Sequence, residues 1–153
     1  MELIEQASLF SMFHDGILVK LEKQEDNVLF QVDIQYIAEI VNPNYEIFNG
    51  YLKHCSELIF ISLSGETIFD LSNLEENENI QPDIMGAEAK GDLVEVYCSI
   101  APPSYGDPSY GGFLKFKAED IKIFDQDNNP ITLQQIKECC TQYWSNFSKG
   151  NNL

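Results

Sequence analysis

The sequence predicts an α+β fold, an antiparallel β-sheet with a C-terminal amphipathic helix packed on it, and three observations lead there. Apolar and polar residues alternate in two adjoining segments, 17–22 and 28–36; further short strand patterns follow in sequence order; and the period lengthens toward 3.6 only near the C-terminus. A strongly curved or barrel-like sheet with the helix at one end is the alternative architecture. The chain has 153 residues, 44% of them hydrophobic and 12% aromatic, enough for one core and too few residues for two. A single globular domain is expected over residues 1–148, with a frayed tail at 149–153.

Residues 3–13 carry a mixed apolar pattern that fits either a short helix or an irregular entry. From Gly16 the period is two: Ile17, Val19 and Leu21 face one way, Lys20 and Glu22 the other, up to the polar turn Gln24-Glu25-Asp26-Asn27. Val28, Phe30, Val32, Ile34 and Tyr36 resume the alternation, which predicts an antiparallel hairpin with one wet face. Asn42-Pro43-Asn44 breaks the run. Residues 58–63 are nearly all apolar and predict a central strand covered on both faces. Residues 64–83 read as a long acidic connection. Strand patterns return at 94–100, 113–118 and 121–124, and Asp125-Gln126-Asp127-Asn128-Asn129 is a turn cluster. Leu133, Ile136, Cys140, Trp144 and Phe147 recur at helical spacing, and Thr132 with Gln135 fits a capping box at the start of that helix.

Charge excludes more than it names. Asp and Glu number 25 against 9 basic residues, all of them lysine, for a formal charge of −16. A chain without arginine lacks the bidentate fork used on guanine and phosphate, so nucleic acid is an unexpected partner, and anionic membrane surfaces fail for the same reason. No apolar stretch approaches the ~20 residues a spanning helix requires. The acidic N-terminus, Met1-Glu2-Leu3-Ile4-Glu5, lacks the positive charge of a secretory signal, and a soluble, cytoplasmic protein is expected. Four cysteines, Cys55, Cys98, Cys139 and Cys140, show no framework or zinc spacing and read as free thiols; no metal and no cofactor are expected.

Two places carry candidate binding residues. Residues 103–111, Pro-Ser-Tyr-Gly-Asp-Pro-Ser-Tyr-Gly, form a tandem five-residue repeat between strands. Proline, glycine and tyrosine are the palette of adaptable contact loops, which singles out Tyr105, Asp107 and Tyr110 for binding; both tyrosines folding back as a lid is the alternative. The second place is acidic: Glu75, Glu76 and Glu78 begin a crowd of seven acids that continues through Asp83, Glu88, Asp92 and Glu95, with only Lys90 among them. Such a patch steers basic partners. Neither this stretch nor residues 125–129 completes a calcium loop, and no nucleophile elbow, phosphate loop or dinucleotide fingerprint occurs.

Phe13-His14-Asp15-Gly16 precedes the first strand. Neighbours on an extended chain point to opposite faces, so His14 and Asp15 are expected to serve a turn and not a shared site. This opening into an amphipathic hairpin, in an acidic chain of this size, resembles small acidic bacterial domains of unknown function, including immunity proteins of polymorphic toxin systems. The resemblance implies a toxin enzyme as partner and draws attention to His14 and Asp15. The function expected is therefore non-catalytic binding of a basic protein through acidic and Tyr-rich surface. A small enzyme using His14 and a carboxylate as acid and base is one alternative, and a structural homo-oligomer subunit is another.

Overall fold

The computed structural model describes residues 1–100 and 111–151. Helix α1 (Leu3–Met12) leads into the hairpin β1 (Ile17–Gln24) and β2 (Asn27–Asp33). Helix α2 (Gln35–Val41), β3 (Ile47–Lys53), β4 (Glu57–Ser62), β5 (Thr67–Asp70) and a 3₁₀ turn (Leu74–Asn77) follow. Strands β6 (Asp83–Lys90), β7 (Leu93–Ser99), β8 (Gly111–Lys117), β9 (Asp120–Phe124) and β10 (Pro130–Ile131) precede helix α3 (Leu133–Asn151). All pairings are antiparallel, in one sheet of order β10-β9-β3-β2-β1-β6-β7-β8-β4-β5. The class is α+β as expected, but the barrel-like alternative is corrected: the sheet is open, neither closed nor strongly curled, with β10 and β5 as its edges.

The β1–β2 hairpin forms where alternation predicts it, in register from Ile17↔Asp33 to Gln24↔Asn27 with one irregularity between Leu18 and Lys20. It ends earlier than the pattern does. Ile34 and Tyr36 extend the period of two, yet the chain turns into α2, where Ile37 and Ala38 are buried three and four places after the buried Ile34, which is helical spacing, and Asn42, held extended before Pro43, stops the helix. Strand β3 lacks a legible alternation because Asn49 and Gly50 interrupt it. Gly50 is required there: a Cβ would lie 2.2 Å from Cζ of Phe30, the side chain opposite it on β2. Strand β4 is not central; it lies one place from the edge, with Leu58, Phe60 and Ser62 buried on one face and Ile59 and Ile61 half-buried on the other. The expected acidic connection at 64–83 contains β5 and the 3₁₀ turn.

At the C-terminus the capping box is present: the Thr132 N–H donates to Gln135 Oε1 at 2.8 Å, and the Gln135 N–H donates to Thr132 Oγ1 at 3.1 Å. The helix runs on to Asn151, past the end of its apolar period. It packs on α1 and α2. Tyr143 rests on Tyr36 of α2 with ring centroids 4.4 Å apart, and Cys140 lies against the Met12 carbonyl at the end of α1.

Strands β1 and β6 meet at a single bridging pair, Ile17↔Asp83, so the sheet consists of two five-strand halves joined at a narrow seam. Helix α1 covers that seam. The ring of Phe10 lies 5.4 Å from Phe30 on β2 and 5.3 Å from Phe116 on β8, one in each half, and 6.0 Å from Phe13 at its own helix end. All four rings are fully buried. Truncating such a ring removes its transfer free energy and leaves a cavity, so Phe10→Ala is expected to destabilise the protein by about 3–5 kcal/mol. Thr132→Ala, which removes only the helix cap, is expected to cost about 1 kcal/mol. Urea denaturation of both variants checks the ranking; a Phe10→Ala loss no larger than that of the cap variant contradicts the seam-bridging role.

Candidate functional site

Apart from Asp83, the crowd of acids at 75–95 separates into two groups once folded. On β6–β8 three of the acids, Glu88, Asp92 and Glu95, meet lysines on their own or a neighbouring strand. Glu95 is buried between Lys90 at 3.4 Å and Lys115 at 3.7 Å, Glu88 takes Lys90 at 3.4 Å, and Asp92 takes Lys117 at 2.8 Å. Lys115 and Lys117, far along the chain, thus pair with Glu95 and Asp92, which had looked unopposed. Glu75, Glu76 and Glu78 are different: they sit on and just after the 3₁₀ turn, all three are exposed, and none makes an ion pair among the described residues.

Glu78 lines a cleft, and Glu75 and Glu76 lie beside it. Past Leu18, whose N–H donates to the Pro82 carbonyl at 2.8 Å, β1 draws away from the β6 side of the seam, and the 3₁₀ segment fills only part of the gap. What remains is a cleft of about 450 Å³. Phe69, Leu74 and Ile80 from one side and Val19 and Leu21 from β1 supply its apolar surface, while Asn77, Glu78 and Asn79 oppose Lys20 and Glu22 as its polar groups. Lys20 and Glu22 pair with each other at 3.3 Å, which leaves the Glu78 carboxylate without an ion-pair partner among the described residues lining the cleft. Glu75 and Glu76 line a smaller adjoining hollow of about 190 Å³ with Lys23 and Leu71. The arrangement suits a ligand with an apolar stem and a cationic head.

His14 and Asp15 do come together, contrary to the sequence expectation. They lie in the tight turn between α1 and β1, where Asp15 adopts φ 69°, and the left-handed backbone brings His14 Nδ1 within 3.1 Å of Asp15 Oδ2. Extended geometry does not apply at such a residue. Gly16 follows because a Cβ there would lie 2.7 Å from Val32 Cγ1 and 2.8 Å from the Phe13 carbonyl oxygen. Asp83 joins this group from across the seam. Partial burial pushes its carboxyl above the usual range, the Asp15 charge adds to that rise and His14 opposes it, and Asp83 Oδ1 is buried without a hydrogen-bond partner. The sequence shows Asp83 only as one of the crowded acids; its meeting with His14, 69 positions away, carries no motif.

Tyr105, Asp107 and Tyr110 lie outside the described residues. All four cysteines are free thiols; burial pushes Cys55 up to about 11 and Cys98 up to about 12, so neither supplies thiolate near neutrality. His54 is exposed in a left-handed turn, its N–H donating to Asn27 Oδ1 at 3.0 Å. In the 125–129 turn the Asp125 carboxylate accepts the N–H groups of Asp127 and Asn129, each at 2.9 Å, and Asp127 accepts the Tyr45 hydroxyl at 2.7 Å. Those oxygens hold the loop. No cluster of three or more His, Cys, Asp or Glu side chains suited to a metal ion occurs among the described residues, and no helix there is long and apolar enough to cross a membrane. No family model, curated protein or solved structure matches the chain.

A carboxyl whose folded pKa is raised opposes folding when it is ionised and ceases to do so once protonated. Asp83→Asn is therefore expected to raise the melting temperature at about pH 7, with the gain shrinking as pH falls through the carboxylate range near about 4. Thermal unfolding at both pH values measures this; equal melting temperatures at neutral pH contradict the assignment.

Proposed function

We propose that the protein is a non-catalytic binding domain for a basic protein partner, in the manner of an immunity protein, and that the partner engages the cleft between β1 and the 3₁₀ turn. The observation that carries this reading is the split among the acids. Glu88, Asp92 and Glu95 are paired with lysines within the fold, whereas Glu78 lines an apolar-floored cleft and Glu75 and Glu76 the hollow beside it, with no lysine paired to any of the three among the described residues. Unpaired surface carboxylates so placed accelerate encounter with a cationic surface, and the apolar floor supplies the contact area that charge alone does not. Tyr105, Asp107 and Tyr110 extend this proposal as a contact loop. The cationic partner expected here excludes nucleic acid and anionic membrane as ligands, and a soluble cytoplasmic setting accords with the charge.

A second reading rests on His14, Asp15 and Asp83. An imidazole 3.1 Å from one carboxylate, with a second carboxyl of raised pKa nearby, is a constellation capable of proton transfer. The protein-binding reading is preferred because the cleft beside the 3₁₀ turn is lined by other residues.

Affinity capture from host extract at low and high salt tests the preferred reading. A specific basic partner is expected that releases as salt rises. The triple variant Glu75→Gln, Glu76→Gln, Glu78→Gln is expected to weaken binding by about tenfold or more and to flatten the salt dependence. Binding indifferent to salt, or unaltered in the triple variant, overturns the proposal.

A further inference from the structure

The cleft between β1 and the 3₁₀ turn is built before anything enters it. Phe69 stacks on Phe60 with ring centroids 5.4 Å apart, and Leu74 is buried. The turn itself is tied at Asn77, whose Nδ2 donates to the Asn73 carbonyl at 2.9 Å while its own carbonyl accepts the Ile80 N–H at 3.0 Å. A wall fixed in this way has little conformational freedom left to lose when a ligand docks. The volume of about 450 Å³ accommodates a long side chain together with part of the backbone that carries it.

Charge and hydrogen-bonding capacity select the occupant. With its amide nitrogen committed to Asn73, Asn77 has Oδ1 left as an acceptor, and Glu78 beside it adds a carboxylate with no ion pair among the described residues. Lys20 is the one cation among the lining residues, yet its half-exposed ammonium pairs at 3.3 Å with Glu22, two places along its own strand, and leaves Glu78 free. An ammonium is a compact, strongly hydrated charge. A guanidinium is planar and weakly hydrated, so it lies against apolar surface while its five N–H groups reach several acceptors at once. All nine bases of this chain are lysine, so a guanidinium comes only from another molecule.

We infer that the cleft seats an arginine side chain of the basic partner, with its methylene stem along Leu21, Leu74 and Ile80 and its guanidinium on the Glu78 carboxylate and Asn77 Oδ1. The assignment rests on the protein-binding function proposed above and adds the residue that the partner presents. The two groups of acids then differ in role. Glu75 and Glu76, in the hollow they share with Lys23, steer the approach, whereas Glu78 with Asn77 discriminates arginine from lysine.

Titration of the isotope-labelled full chain at low salt with butylguanidinium, butylamine and the bare guanidinium ion, followed by backbone amide NMR, tests the inference. Butylguanidinium is expected to shift the signals of Leu21, Leu74 and residues 77–80, and butylamine and bare guanidinium to bind at least about fivefold more weakly, the first for want of the planar head and the second for want of the stem. Glu78→Gln is expected to weaken butylguanidinium at least about fivefold, whereas Glu66→Gln, which removes the same charge from an exposed site outside the cleft, changes it by less than about twofold. Amide spectra unchanged away from the substitution confirm that each variant is folded. Shifts outside the cleft, equal binding of butylamine, or equal losses in the two variants overturn the inference. Failure of the arginine anchor is distinct from failure of the protein-binding function. A salt-sensitive basic partner whose arginines are replaced by lysine without loss upholds that function and overturns the anchor; cleft shifts by butylguanidinium with no captured partner uphold the arginine site and overturn the protein partner.

Discussion

Phe10 holds together two halves of a sheet that hydrogen bonds barely connect. Backbone pairing supplies the cohesion within each half, but across the seam it is confined to Ile17↔Asp83 and the few bonds beside it, such as Ile84 N–H to the Gly16 carbonyl at 2.8 Å. The core is continuous because a ring on α1 touches Phe30 on one side and Phe116 on the other. This placement also explains the turn after α1. The chain must pass from the Phe13 ring, buried against Phe48, into β1 within three residues, which requires the left-handed Asp15 and the small Gly16. The His14–Asp15–Asp83 grouping and the cleft past Leu18 are thus two outcomes of one constraint: the seam is tight at its α1 end and open at the other.

Charge is distributed by the same architecture. With nine lysines for 25 acids, most carboxylates cannot be paired; some that are take a lysine across the ladder, as Glu95 does, and others a lysine two places along the same strand, as Glu22 and Glu88 do. Glu95 shows the logic most clearly, because it is buried and two lysines approach it from neighbouring strands. Exposed pairs such as Lys117 with Asp92 contribute little stability individually. Their effect is to leave the 3₁₀ segment as one of the regions where negative charge is uncompensated.

Local features were legible in the sequence, and features made by distant segments were not. The β1–β2 hairpin and the Thr132–Gln135 cap depend on residues a few positions apart, and both are present. Helix α2 was hidden because Ile34 and Tyr36 prolong a period of two, and only the burial of Ile37 and Ala38 reveals the helical face. Strand β3 was hidden because Asn49-Gly50 resembles a turn, while the ring of Phe30 that needs the glycine belongs to another strand. At the candidate site, Glu75, Glu76 and Glu78 were found by their density alone. The pairing of Asp92 with Lys117 depends on the β6–β7–β8 register, and the meeting of His14 with Asp15 depends on one positive φ, neither of which a spacing rule conveys.

The route of the chain through the sheet sets an order of assembly. Strands β1, β2 and β3 form a meander of neighbours in sequence, and β6, β7 and β8 form another, so each closes short loops. Strand β9 is different, for it returns from the second half to pair with β3, joining Lys53 to Asp120 and Asn49 to Phe124. During synthesis the outer edge of β3 therefore emerges early and stays open until residues 120–124 have left the ribosome. Through that interval it is an unprotected strand edge, with the hazard of pairing with another nascent chain that such edges carry. The flanking lysines and carboxylates of Lys53, Glu46 and Glu57 put charge at both ends of that edge while it waits.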